Sequence, residues 1–385
     1  MPHVIMPQHI FIGNQSLTAA APYLKGLGEK ALIVTGQHVG KSPMMEKLKK
    51  ILDQVAVTYE VFDGITGEPT DTMIEQGLGI YTDSKCDFCI GLGGGSPLDA
   101  AKAIAAMAVC PGKISDYVGK MITAKVPSIV AIPTTSGTGS EATKFTIITD
   151  LEKNVKMLLK GDCLIPTIAI VDPDFSMDMP KSVTAATGLD ALTHAVEAYT
   201  SKLANPLTDC LAISAIKRIM EYLPLAYQNG FHAKAREEMS IAALEAGICI
   251  NNSSVTIVHG MSRPIGALFH VPHGMSNAML LKECLTFALS GSYERFGRLG
   301  REIGAAGVAD SDEKAAMHFL EKIDEICKLC EIPSLKEYGI EEDAFMNAIE
   351  KMATDAMASK SPDNTRATVT QQDCVTIYQK VFAAK

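Results

Sequence analysis

Short apolar runs alternate with helix-periodic stretches through the first half of the chain, and the alternation stops close to its middle. His9–Ile12, Ala31–Thr35, Val55–Phe62, Phe88–Leu92, Ile129–Ile132 and Ile168–Val171 have the length and composition of strands. Ser42–Leu52 and Thr72–Ser84 between them repeat apolar residues at three- and four-residue spacing, as amphipathic helices do. Strands separated by helices predict a mainly parallel sheet covered by helices. Asp172-Pro173 closes the last strand with a hard stop. From about residue 182 long helical patterns take over: Asp190–Ser201, Thr208–Leu223, Ala233–Ile250, Glu294–Ile303, Ser311–Cys330 and Glu341–Ala358. The pattern therefore predicts an α/β domain over 1–182 and an all-α domain over 183–385, with no internal repeat.

Composition narrows the class. With 385 residues the chain exceeds what one hydrophobic core sustains, in keeping with two domains. A net charge of −9 without any basic run argues against nucleic acid as a partner. The start, Met1-Pro2-His3-Val4-Ile5, lacks the pattern of a secretory leader, and no long uncharged apolar stretch predicts a membrane span. A soluble cytoplasmic protein is the expectation. The ten cysteines are scattered through apolar segments, as buried free thiols are. Cys86 and Cys89 lie in a strand-like run and point to opposite faces; Cys327 and Cys330 share a helical side but have no further ligands nearby.

Three places carry chemistry. Asp190 and His194, four residues apart in a helical pattern, project from one face and make half of a divalent-metal site. His259, His270 and His273 fall within fifteen residues and offer the other half. The run Phe88–Lys102 is a strand, a glycine turn and a helix start, with Ser96 fitting N-cap, Pro97 the first helical position and Asp99 the third. Gly94 and Gly95 allow a ligand close to the backbone, and the free amides of a helix start form an anion site. The usual G-x-G-x-x-G fingerprint is absent. A second loop, Ile132–Glu141, also follows a strand and is dense in hydroxyls and glycines, so two loops at strand ends can hold both halves of a dinucleotide.

Four runs together resemble the iron-containing (group III) alcohol dehydrogenases: Gly93–Lys102, Pro133–Glu141, Ala186–His194, and His259-Gly260-Met261 with Pro272-His273-Gly274. They occur in that family's order and span essentially the whole chain. The resemblance implies a Rossmann-like dinucleotide-binding domain, a helical metal-binding domain and an active site in the cleft between them. It implies a homo-oligomeric enzyme that interconverts small alcohols and aldehydes with NAD or NADP and one divalent metal. Carried to matching positions, the metal ligands are Asp190, His194, His259 and His273. The phosphates lie on Gly94, Gly95 and Ser96 with Asp99 close by, Thr134, Thr135 and Thr138 face the nicotinamide end, and Lys156 lies along the cofactor. Three imidazoles and a carboxylate suit Fe(II), the implied metal, or Zn(II).

Two departures from that family's pattern bear on specificity. Gly36 stands where NAD-preferring relatives often place an Asp, which makes room for a 2′-phosphate, with Lys41 and His38 near in sequence to complement it. NADP(H) is expected over NAD(H). Arg263 stands where most relatives have a second, non-ligating histidine; arginine does not titrate near neutrality but presents a fork of donors suited to carboxylate or sulfonate. An anionic aldehyde substrate is the corresponding expectation, with pairing to a local acid or to cofactor phosphates as its structural alternative. His270 is a candidate proton relay, and Phe145 matches a pocket-wall position. The competing accounts are a polyol-phosphate dehydrogenase-like or dehydroquinate synthase-like branch of the same fold, and a non-catalytic nucleotide-binding relative.

Overall fold

The computed structural model describes residues 3–153 and 155–383, which form two compact units divided between Met179 and Pro180. The first unit runs β1 (His9–Ile12), α1 (Ser16–Lys25), β2 (Lys30–Val34), α2 (Gln37–Gly40), α3 (Pro43–Gln54), β3 (Thr58–Phe62), α4 (Asp71–Asp83), β4 (Phe88–Gly93), α5 (Gly95–Met107), β5 (Ile129–Pro133), β6 (Phe145–Asp150), β7 (Val155–Lys160) and β8 (Ile168–Val171). Six strands form one parallel sheet in the order β1-β8-β5-β4-β2-β3, and β6 and β7 pair as an antiparallel hairpin.

Both faces of the sheet are buried, which is why its strands are continuously apolar. Along β2, Ala31 and Ile33 enter one core with Phe88, Ile90, Val130 and Ile170, covered by α1 and α3. Leu32 and Val34 enter the opposite core with Cys89, Ile104 and Ile129. The chain winds outward in opposite directions from β2 and β4, so the ends of these neighbours bound a topological switch point. Thr35 Oγ1 ties them together by donating to Leu92 O at 2.7 Å.

The second unit is helical throughout its described residues: α6 (Lys181–Thr200), α7 (Pro206–Gln228), α8 (Ala233–Ser253), α9 (Ile257–Phe269), α10 (His273–Ala288), α11 (Tyr293–Glu302), α12 (Asp312–Leu329), α13 (Glu342–Ala358) and α14 (Gln371–Ala383). Helix α6 is buried nearly all round and packs on α7, α8 and α10. It begins at Lys181 rather than Asp190, because burial outweighs the poor helix propensity of Thr184, Thr187 and Gly188. Gly188 also lets α7 approach: a Cβ there would lie 2.5 Å from Leu223 Cδ1.

Helices α9 and α10 were not legible, since Gly260, Pro264, Gly266 and Pro272 interrupt the period over that stretch. Pro264 is nonetheless buried inside α9. Among the described residues no single helix is long and apolar enough to cross a membrane. The cysteines are free thiols; burial pushes those of Cys327 and Cys330 up to about 12, which keeps them protonated near neutrality.

Candidate functional site

The glycine turn after β4 differs from the sequence expectation in one respect. Gly94, not Ser96, occupies the N-cap position, and helical geometry starts at Gly95. The cause is Gly93, whose φ of +151° turns the chain two residues earlier than a Ser96 N-cap would. Ser96 and Pro97 therefore lie within the first helical turn, whose amides remain available to an anion.

The two loops sit together. Gly93 pairs with Pro133 across β4 and β5, and Thr134 donates its backbone N–H to Gly93 O at 2.9 Å. A Cβ on Gly95 would lie 2.9 Å from Thr138 Cγ2, and one on Gly94 would lie 3.4 Å from Thr135 Cγ2. These glycines thus admit the second loop as well as leaving backbone open to a ligand. Asp99 works behind them: Oδ1 accepts from Ser140 Oγ at 2.5 Å and Oδ2 from Ile147 N at 2.8 Å. Lys102, one turn on and fully buried, donates from Nζ to Ser140 Oγ, Thr143 Oγ1 and Phe145 O. Sequence reasoning took Asp99 as close to phosphate and passed over Lys102; both bind the second loop to α5.

Burial holds the Lys102 ammonium down to about 8, against the pull of Asp99 and Glu141. Burial likewise pushes Glu141 up to about 7, opposed by its own backbone N–H and by Lys102. Between the ordinary 4.5 and about 7 the unfolded chain ionises while the folded chain keeps its proton. The folded state then binds more protons, so stability falls as pH rises through that window, by an amount on the order of 3 kcal/mol. Glu141→Gln removes this loss. The variant should melt close to wild type at about pH 5 and clearly above it at about pH 7.5; a gap that does not widen with pH would refute a neutral buried Glu141.

In the helical unit α6, α9 and the start of α10 deliver Asp190, His194, His259 and His273 to one point, with one ligand atom from each within 4.8 Å of the others. The Nε2 atoms of His259, His273 and His194 stand 3.6, 3.8 and 3.9 Å from Asp190 Oδ1. These separations approach the edge, about 3.4 Å, of a tetrahedron with bonds of about 2.1 Å. The rings of His194 and His259 stack at 4.5 Å and 17°. Burial pushes the Asp190 carboxyl up, but His194, His273 and His259 outweigh it and hold it well below the carboxylate range. Burial holds the His273 ring down to about 3, with His259, His194 and Arg263 adding to it and Asp190 opposing. A carboxylate ringed by three imidazoles, each with a ring nitrogen that can ligate once unprotonated, is the donor set of a divalent cation.

Two further residues escaped the sequence reading. Asn277 donates from Nδ2 to Asp190 Oδ1 at 2.7 Å and places that nitrogen 3.1 and 3.3 Å from Nε2 of His259 and His273. Three acceptors thus converge on one electropositive group, as they would on a cation, while Asn277 Oδ1 is buried without a hydrogen bond. Glu197 is fully buried, and its Oε2 lies 2.6 Å from His259 Nδ1. Both lie on helical spacing, Glu197 three residues beyond His194 and Asn277 four beyond His273, and that spacing was the signal available.

The remaining candidates are placed as follows. Arg263, partly buried on α9, donates from Nη1 to Ser361 Oγ at 3.1 Å, and among the described residues no carboxylate lies within salt-bridge distance of it. His270 lies outside the four-residue cluster; it is exposed and ends α9 at a φ of +54°. Phe145 opens β6, half-buried, with its carbonyl on Lys102. Lys156 lies exposed on β7 and pairs with Glu68 at 2.6 Å. Gly36 precedes α2, and a Cβ there would lie 2.8 Å from Ile65 O; Lys41 and His38 are exposed nearby.

Comparison with known proteins supplies a context. Residues 7–173 match the family model described as iron-containing alcohol dehydrogenase, and residues 184–382 match the C-terminal model of that family. The chain is 35% identical over 385 residues to the NAD-dependent methanol dehydrogenase of Bacillus methanolicus, covering 99% of this chain and 100% of that one. It is 33% identical over 386 residues to the NADPH-dependent butanol dehydrogenase of Clostridium saccharobutylicum, covering 98% and 97%. A crystal structure of 1,3-propanediol oxidoreductase is similar at a TM-score of 0.95 and 33% identity, covering 99% and 100%.

Proposed function

This chain belongs to the iron-containing alcohol dehydrogenase family, and from that premise we propose that it reduces a small anionic aldehyde with NADP(H), using Fe(II) held by Asp190, His194, His259 and His273. The observation that carries the reading is the convergence of three Nε2 atoms on Asp190 Oδ1. A divalent metal in such a site supplies Lewis acidity toward a carbonyl or hydroxyl oxygen. The nicotinamide supplies or accepts the hydride. Zn(II) competes for the same ligands, which do not discriminate sharply between the two ions.

Arg263 supports the anionic substrate. Asp190 and Glu197 balance the two charges of a divalent ion, so the guanidinium leaves the assembled centre with net positive charge. Its hydrogen-bond partner is the neutral hydroxyl of Ser361, so the alternative of pairing to a local acid finds no support. A planar fork with donors to spare is suited to a carboxylate or sulfonate.

Gly36 supports NADP(H): Ile65 O approaches too closely for any side chain, so a carboxylate that would repel a 2′-phosphate has no place there. Lys41 and His38, exposed at α2, would complement phosphate there. A second reading, NAD(H), draws on Asp63, whose Oδ2 would stand 3.9 Å from a Cβ built on Gly40 and would offer an acceptor for ribose hydroxyls.

Reduced-nicotinamide consumption by Fe(II)-loaded protein tests these points together. Succinic semialdehyde is expected to outpace propanal, and NADPH to outpace NADH. Arg263→His should lower the acidic-to-neutral ratio about tenfold or more, as loss of a charge-assisted hydrogen bond does. An unchanged ratio refutes the anion anchor, and a higher kcat/KM with NADH refutes the cofactor preference.

A further inference from the structure

Glu197 makes three contacts, and their arrangement across its two oxygens is the informative feature. Oε1 accepts from Val258 N at 2.6 Å and from Thr256 Oγ1 at 2.7 Å. Oε2 faces His259 Nδ1 at 2.6 Å. The backbone N–H of Val258 can only donate, so Oε1 must accept. An ionised carboxylate accepts at both oxygens, which places a proton on Nδ1 and makes Nε2, turned toward Asp190, the nitrogen left to ligate. The carboxylate comes from α6, seven residues after Asp190 and three after His194, so one buried helix supplies two ligands and the group that orients a third.

We propose that Glu197 is a positioning residue that fixes the tautomer and orientation of His259, so that its Nε2 is the atom presented to the metal. The proposal rests on the metal-centre reading above and adds to it a cause for the ligand set's readiness. Partners that hold the far nitrogen of a ligating histidine typically govern metal affinity by about 10–100-fold.

Glu197→Gln is a sharp test because the amide cannot accept at both ends. Val258 N–H claims the remaining oxygen, so the amide NH2 is turned toward His259 Nδ1. That nitrogen must then accept, which moves the proton to Nε2 and blocks the ligand atom. The expected result is a fall of about 10–100-fold in Zn(II) affinity, read by competition with a chromophoric chelator. In the metal-free proteins, selective 15N-histidine NMR should show His259 protonated on Nδ1 in the wild type and on Nε2 in the variant.

The two readings fail separately. Wild-type protein that takes up neither Zn(II) nor Fe(II) overturns the metal reading itself. Wild type that binds Zn(II) while Glu197→Gln binds it equally well overturns only the role of Glu197. Should the variant fail to fold, the wild-type spectrum still decides: His259 protonated on Nε2 refutes the proposal.

Discussion

Replacing Asp190 by Asn is expected to abolish metal retention and lower kcat/KM by about a thousandfold. The substitution keeps the shape of the side chain and removes its charge. Oδ1 of Asp190 is the common neighbour of all three ligand nitrogens, at 3.6 to 3.9 Å. It is also the only carboxylate of the four-residue cluster. A carboxamide in its place offers a divalent cation a neutral oxygen and leaves the buried imidazoles without the anion they surround. Lewis-acid assistance is worth several kcal/mol, and about 1.4 kcal/mol corresponds to tenfold in rate. Metal per chain by mass spectrometry, taken beside kcat/KM, checks the prediction. A variant with one metal per chain and wild-type turnover would show that the ion and the chemistry lie elsewhere.

Gly274→Ala should destabilise the protein by roughly 1–3 kcal/mol, the usual cost of overpacking, and weaken metal binding with it. Inside a helix Gly→Ala ordinarily stabilises by up to about 1 kcal/mol, so the expected sign is reversed. The reason lies on α6: a Cβ at Gly274 would stand 2.4 Å from Ala186 O and 3.3 Å from Asp190 Cβ. A backbone carbonyl cannot step aside as a flexible side chain does. The first turn of α10 would have to retreat, carrying His273 away from Asp190, and a misplacement of about 1 Å in such a site can cost about a hundredfold in activity. Gly79, exposed on α4 with nothing within 4 Å of its Cβ position, is the internal control, and Gly79→Ala should raise Tm. If Gly274→Ala also raises Tm and keeps its metal, the α6–α10 contact is looser than described.

Local pattern carried far in the first unit. Ile168–Val171 and Phe88–Leu92 were legible as strands because a sheet buried on both faces demands unbroken apolar runs. The β6–β7 hairpin was missed because only alternate residues of it are buried and Lys156, Lys160 and Thr146 dilute its apolar content. Helix α1 was missed as well, and so was α14 at the far end of the chain. In the second unit the Asp190–His194 spacing pointed to a shared face, but nothing local distinguished Glu197 or Asn277 from any polar residue on a helix.

The division follows from the range of the forces concerned. Periodicity, turn residues and the spacing of ligands along one helix are short-range properties, so the sequence by itself determined the parallel sheet, the switch to helices and the pairing of Asp190 with His194. Which atoms meet across elements is set by packing. Only the tertiary structure placed Val258 N–H and His259 Nδ1 on opposite oxygens of Glu197, brought Ala186 O against Gly274, and set Lys102 under the second loop. It also gave Arg263 a hydroxyl rather than a carboxylate for a partner. Hydrogen bonds and close contacts act over a few ångströms between residues far apart in the chain, such as Arg263 and Ser361 at a separation of 98. No local pattern encodes them.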